Sequence, residues 1–186
     1  MGLSDWLTRV SKGWLTLLAL ITMALFMVLV LPAQSRQAEA VSGGAGSPDT
    51  SFFYTPADLY RMAEQYGPAG RAAYIRARFT FDLVFPLVYT AFLATALSWL
   101  NQRASAPASP WRLTNLAPVL GMAFDYLENI ATSIIMGRYP ATTPGIDALA
   151  PIFTFIKWIL VAGSFVLLLI SIVMAAWQWQ KRRRTR

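Results

Sequence analysis

The stretch WLTLLALITMALFMVLVL, residues 14–31, holds no charged side chain, and the rest of the chain is read outward from it. A helix of about 20 residues crosses the roughly 30 Å of bilayer hydrocarbon. Three further apolar stretches have that length, from about Phe79 to Leu100, Leu113 to Met136 and Ile152 to Trp177. Backbone groups in hydrocarbon must be bonded within their own segment, so each stretch is read as a helix. The alternating ten-residue segments of a membrane barrel do not appear. The expected fold is all-α: a polytopic membrane helical bundle forming one membrane domain over residues 1–186. Its four transmembrane helices cover 14–31, 79–100, 113–136 and 152–177, with an outer loop over 32–78 and a basic tail over 178–186.

Composition agrees. Hydrophobic residues make up 56% of the 186 and charged residues 13%, too few to cover a soluble domain of this size. The net charge of +7 would suggest nucleic acid if it were spread over a face. Instead five of the sixteen basic residues are Lys181, Arg182, Arg183, Arg184 and Arg186, directly behind an apolar run. That arrangement points to anionic lipid headgroups as the partner, and no basic-aromatic interleaving suggests nucleic acid. The chain has no cysteine and no histidine. Disulfides, Cys/His zinc sites, iron–sulfur clusters, His-ligated haem and Ser–His or Cys–His catalysis are thereby excluded. No Gly-rich phosphate loop or nucleophile elbow is present, and no cofactor is expected. Asp125-x-x-Glu128 could offer oxygens to a hard cation, but that spacing is common by chance.

Basic residues flanking the spans set the orientation. With both termini in the cytoplasm, Arg9, Lys12, Arg103, Arg112 and the five-charge tail lie inside, against Arg36, Arg61, Arg71, Arg76, Arg78 and Arg138 outside. Trp177 and Trp179 would mark the inner interface, with Trp6 and Trp14 for the first helix. Trp99, Trp111 and Trp158 read as interface anchors or packing residues. A cell membrane, multi-pass location of the bacterial cytoplasmic type is expected. A competing reading takes Arg9, Lys12, the apolar run and Ala38-Glu39-Ala40 as a cleaved signal peptide, which would leave three spans.

The outer loop changes character halfway. Gln34 to Asp49 is polar and rich in Gly, Ala and Ser, as in a flexible linker. Thr55-Pro56-Ala57-Asp58 then reads as a helix start, with Thr55 as N-cap, and Leu59, Met62, Ala63 and Tyr66 follow at helical spacing. Gly67-Pro68 should stop this short amphipathic helix at about 56–66, and Ala69 to Arg78 should run directly into the second span. Pro140, Pro144 and Pro151 mark a turn-rich loop before the fourth span.

Charges inside spans cost on the order of 2.5–3.5 kcal/mol each and turn toward protein. On the third helix Asp125, Glu128, Asn129, Thr132 and Ser133 recur at spacings of three and four, with Gly121 a turn before. On the second, Asp82, Pro86 and Tyr89 share a face, and Arg78 lies one turn from Asp82. On the fourth, Thr154, Lys157, Ser164 and Ser171 form a thinner stripe. The candidate site is thus an intramembrane polar cluster of Asp82, Asp125, Glu128, Asn129, Lys157, Arg78 and Tyr89, with no metal and no assigned catalytic residue.

Two readings follow. In the first, Lys157 pairs with Glu128 or Asp82, Arg78 pairs with Asp82, and the polar groups hold a non-enzymatic structural or partner-binding component together, partner membrane proteins included. In the second, an outward-facing polar cavity binds a small ligand or handles protons, in a transporter, binder or enzyme.

The patterns Phe81-Asp82-x-x-Phe85-Pro86-x-x-Tyr89, Phe124-Asp125-x-x-Glu128-Asn129 and Phe155-x-Lys157-Trp158 resemble those of a group of small bacterial four-helix membrane proteins. The Tyr54-Thr55-Pro56 helix start and the Tyr66-Gly67-Pro68-x-Gly70-Arg71 turn are also similar to that group. The resemblance covers about Phe53 to Gly163 and implies a bacterial cytoplasmic membrane setting, with no activity to carry over.

Overall fold

The computed structural model describes residues 2–184, and among these residues the chain is helical with no strands. Four helical stretches are long and apolar enough to cross a membrane: Gly13–Ser42, Pro56–Ala104, Pro110–Arg138 and Ile146–Arg184. Arg186 of the basic tail lies outside the described residues.

A short helix, α1 (Leu3–Val10), precedes the first long rod. That rod is built from α2 (Gly13–Leu25), a π-helical turn (Phe26–Val30) and α3 (Leu31–Ser42). The π turn has a local cause. Pro32 has no N–H to give and its ring crowds the carbonyl four residues back, so the ladder widens and the Leu31 N–H reaches Phe26 O instead. Composition suggested a linker from Gln34, yet the helix runs on to Ser42. Gln34, Arg36, Gln37, Ala38, Glu39 and Ala40 are all strong helix formers. The first breaker is Gly43, which closes the helix in the left-handed region at φ 58°.

After a 3-10 turn over Pro48–Thr50, α4 (Pro56–Arg78) opens with a reciprocal cap: Asp58 N–H donates to Thr55 Oγ1 (3.2 Å) and Thr55 N–H to Asp58 Oδ2 (2.9 Å). The helix breaks at Gly67, whose φ of 62° and ψ of 177° only glycine takes readily, and resumes at Pro68. It does not flow into the next helix. Phe79 and Thr80 interrupt it, Thr80 bonding back to Arg76 O at 2.8 Å, before α5 (Phe81–Ala104) begins. A 3-10 turn (Pro110–Leu116) leads into α6 (Ala117–Arg138). The last helix, α7 (Ile146–Arg184), starts six residues before Ile152 and holds Pro151 within it rather than in the loop.

α6 packs along α7, α5 lies against α2, α6 and α7, and α4 lies on α6. The closeness of α6 and α7 depends on Gly121, where a Cβ would stand 3.1 Å from Val161 Cγ2. The bundle turns its polar side inward. On α7 the buried residues are Ala150, Thr154, Lys157, Ser164, Leu168 and Ser171, while Ile159, Val166, Leu169 and Val173 are exposed. On α2 no residue is buried.

One end gathers α1 and the last turns of α7 around the end of α5. There Gln102 Nε2 donates to Thr8 O at 2.8 Å and Asn115 Nδ2 to Ser4 O at 3.2 Å, tying α1 to α5 and the 3-10 turn. Asn115 Nδ2 also reaches Ser98 Oγ at 2.9 Å, and Ser171 Oγ donates to Asn101 Oδ1 at 2.8 Å. Nothing in the sequence pattern marks the helix at 3–10. Eight residues are too few for periodicity to register, and the helix is held by these tertiary bonds.

Candidate functional site

The opposite end holds the charges. α6 supplies Asp125, Glu128, Asn129 and Thr132 from one face, because spacings of three and four stack side chains along a helix. α5 contributes Asp82 and Tyr89, α4 ends on Arg78, and Lys157 stands three turns into α7. All seven candidate residues are buried, from 0% exposed for Glu128 to 8% for Asp125.

They form two connected groups. Arg78 Nε lies 2.9 Å from Asp82 Oδ2, and its Nη1 donates to Asn129 Oδ1 at 3.5 Å. Asn129 Nδ2 donates to Asp125 Oδ1 at 3.1 Å, and Tyr89 OH to Asp125 Oδ2 at 3.1 Å. Lys157 Nζ lies 2.6 Å from Glu128 Oε2. The pairings drawn from helix faces, Arg78 with Asp82 and Lys157 with Glu128, are both present.

The residue that joins the two halves is Asp49, on the 3-10 turn between the first two long helical stretches. Its Oδ1 accepts from Lys157 Nζ at 2.8 Å, and its Oδ2 lies 3.3 Å from Arg78 Nη1. Without it the Arg78 and Lys157 groups would be separate. Periodicity could not have found it, since it sits in a Gly- and Ser-rich connection with no helical register. The one available signal was negative. Asp49 is the sole acidic residue between Glu39 and Asp58.

Three tyrosines brace the network, two of them outside the candidate set. Tyr74 OH donates to Thr132 Oγ1 at 3.1 Å while its ring lies under the Arg78 guanidinium, 4.6 Å from centroid to Cζ. Tyr54 OH and Thr154 Oγ1 are 2.8 Å apart, and burial pushes the Tyr54 hydroxyl's pKa up. Tyr89, a candidate from the start, closes the Asp125 end.

Beside the network lies a cavity of about 530 Å³ between α3 and the second half of α4. Asp49, Arg78, Asp82, Tyr66 and Tyr74 line it, together with the exposed Glu39 and Arg76. Asp125, Glu128 and Lys157 do not line it. Among the described residues no three carboxylates converge closely enough to hold a metal ion.

Asp49 gives a pH prediction. Burial alone would raise its carboxyl, but the Lys157 ammonium and the Arg78 guanidinium hold it well below the usual carboxylate range. A carboxyl with a depressed folded pKa contributes stability that is full above its unfolded value, about 3.9, and is lost as pH falls through the folded value. The difference in melting temperature between wild type and Asp49→Asn in detergent should therefore persist from about pH 7.5 to 5. A difference that vanishes within that window would show that Asp49 is not clamped by two cations.

Comparison with protein-family models, with curated proteins and with solved structures finds no match.

Proposed function

We propose that the chain is a multi-pass protein of a bacterial cytoplasmic membrane, one of the small four-helix group it resembles, with both termini in the cytoplasm. The first half of α4 and the connection bearing Asp49 then lie outside. Polar residues turned inward and aliphatic ones outward invert the pattern of a water-soluble bundle, as hydrocarbon surroundings require. Six of the seven tryptophans (Trp6, Trp14, Trp99, Trp111, Trp177 and Trp179) belong to the segments gathered at the termini end. So do Arg9, Lys12, Arg103, Arg112 and Lys181 to Arg184, and such a girdle with its cations suits a cytoplasmic interface.

Within that membrane the protein is a non-enzymatic structural or partner-binding component, and the charge network is the lock that fixes its helices around an outer loop. The observation that carries this is Asp49, held by Lys157 and Arg78 together. Every candidate side chain is engaged by another, and a loop carboxylate closes the set. A second reading, a small-ligand or proton-handling protein, is favoured by the cavity over Asp49, Arg78 and Asp82, whose volume falls within the range of small-molecule sites.

Asp125→Asn and Glu128→Gln separate the two. As a lock, the protein should lose membrane accumulation or melt earlier, each variant by about 1–3 kcal/mol. Unchanged accumulation and melting in both variants, with loss in Asp82→Asn of a small molecule that co-purifies with wild type, would reject the lock in favour of the second reading, since Asp82 lines the cavity and Asp125 and Glu128 do not. Reporter fusions after Gln102 and after Arg184 should both report cytoplasm.

A further inference from the structure

At the termini end a second concavity, of about 360 Å³, opens between the end of α5, the connection that follows it and the last turns of α7. Three arginines line it, Arg103, Arg112 and Arg182, with Gln102, Ser105 and Gln178, and no acidic residue among the described residues. Two of the arginines are positioned by the fold. Arg103 lies over the Trp99 ring at 4.0 Å and donates from Nη1 to Trp99 O at 2.8 Å. Arg112 donates from Nη2 to Ser105 O at 3.2 Å, and its buried Nε has no hydrogen-bond partner among the described residues.

We propose that this concavity is a seat for the phosphate of an anionic phospholipid headgroup in the cytoplasmic leaflet. The inference rests on the membrane placement and orientation proposed above. Guanidinium forks match phosphate oxygens in pairs, and the amide N–H groups of Gln178 can serve the oxygens that remain. The tryptophans around the seat place it at headgroup depth, which favours a lipid over a soluble phosphate. Recognition is then local, unlike the diffuse attraction of a basic tail.

The test uses the full chain in bilayers that contain phosphatidylglycerol or phosphatidylcholine brominated near the headgroup, with tryptophan quenching as the readout. Wild type should prefer phosphatidylglycerol. Arg103→Gln and Arg112→Gln should each lower that preference roughly fivefold, whereas Arg183→Gln with Arg184→Gln, on the tail, should leave most of it. Arg103 is exposed on the helix surface, so its variant keeps the test open if Arg112→Gln fails to insert. Loss of preference in the tail variant alone, or equal quenching by both lipids in wild type, would overturn the seat. Displacement of brominated phosphatidylglycerol by millimolar inorganic phosphate would make a soluble phosphate the ligand and overturn the lipid assignment. Release of wild type by alkaline extraction would overturn the membrane placement and the seat together, while retention without lipid preference overturns the seat alone.

Discussion

Lys157→Met should destabilise the protein by about 3–5 kcal/mol, the usual penalty for leaving a buried charge without its partner. Lys157 is 4% exposed and serves two carboxylates at once, Glu128 Oε2 at 2.6 Å and Asp49 Oδ1 at 2.8 Å. Methionine keeps the unbranched stem and nearly the same volume, so little of the loss can come from packing. What remains is a fully buried Glu128 with no cation and an Asp49 dependent on Arg78 alone. Glu128→Gln should cost less, because Lys157 keeps Asp49 and no charge is stranded. The double variant should be more stable than Lys157→Met by about 1–2 kcal/mol, since it also removes the orphaned carboxylate. Thermal melting in detergent, with accumulation in the membrane fraction, reads all three. If Lys157→Met melts within about 0.5 kcal/mol of wild type, the span of a neutral surface substitution, the lock is not what holds α7 to α6.

The sequence made the helical parts of this site legible and left its centre dark. Asp125, Glu128, Asn129 and Thr132 could be placed on one face because an α-helix repeats every 3.6 residues. The cost of a charge in hydrocarbon then forced those residues inward toward Lys157 and Arg78. Both arguments fail for Asp49. Its position is set by where a turn of Gly, Ser and Pro lands after the preceding helix ends, and that helix ends a full twelve residues beyond Val30. The run Gln34 to Ala40 shows why. Read by polarity it resembled a linker, but polar residues with straight side chains extend a helix well, and only Gly43 stops it. The cavity was invisible for the same reason, because α3 forms one of its walls. At the other end, Gln102 and Asn115 carried no signal of their role, since what they hold, the eight residues of α1, has no register to betray it.

Arg78→Met should be as damaging as Lys157→Met, about 3–5 kcal/mol, and Arg78→Lys should recover only part of that loss. Arg78 works through its shape as well as its charge. Its Nε meets Asp82 Oδ2 at 2.9 Å, its Nη1 faces Asp49 Oδ2 at 3.3 Å and Asn129 Oδ1 at 3.5 Å, and the planar group lies on the Tyr74 ring. A lysine ammonium is a point charge with no plane to stack and no fork to divide between a helix, a loop and a neighbouring amide. Arg78→Lys can therefore keep Asp82 or Asp49 but not both at these distances, and a residual loss of about 1–2 kcal/mol is expected. Limited proteolysis gives a second readout. Arg78→Met frees one oxygen of Asp49, and Arg78→Lys does so whenever its ammonium stays with Asp82, so cleavage between Gly43 and Tyr54 should accelerate, more in Arg78→Met than in Arg78→Lys. Equal stability of Arg78→Lys and wild type would mean that one positive charge suffices there. The loop would then be fastened by Lys157 alone, and the two halves of the network would be independent pairs rather than one lock.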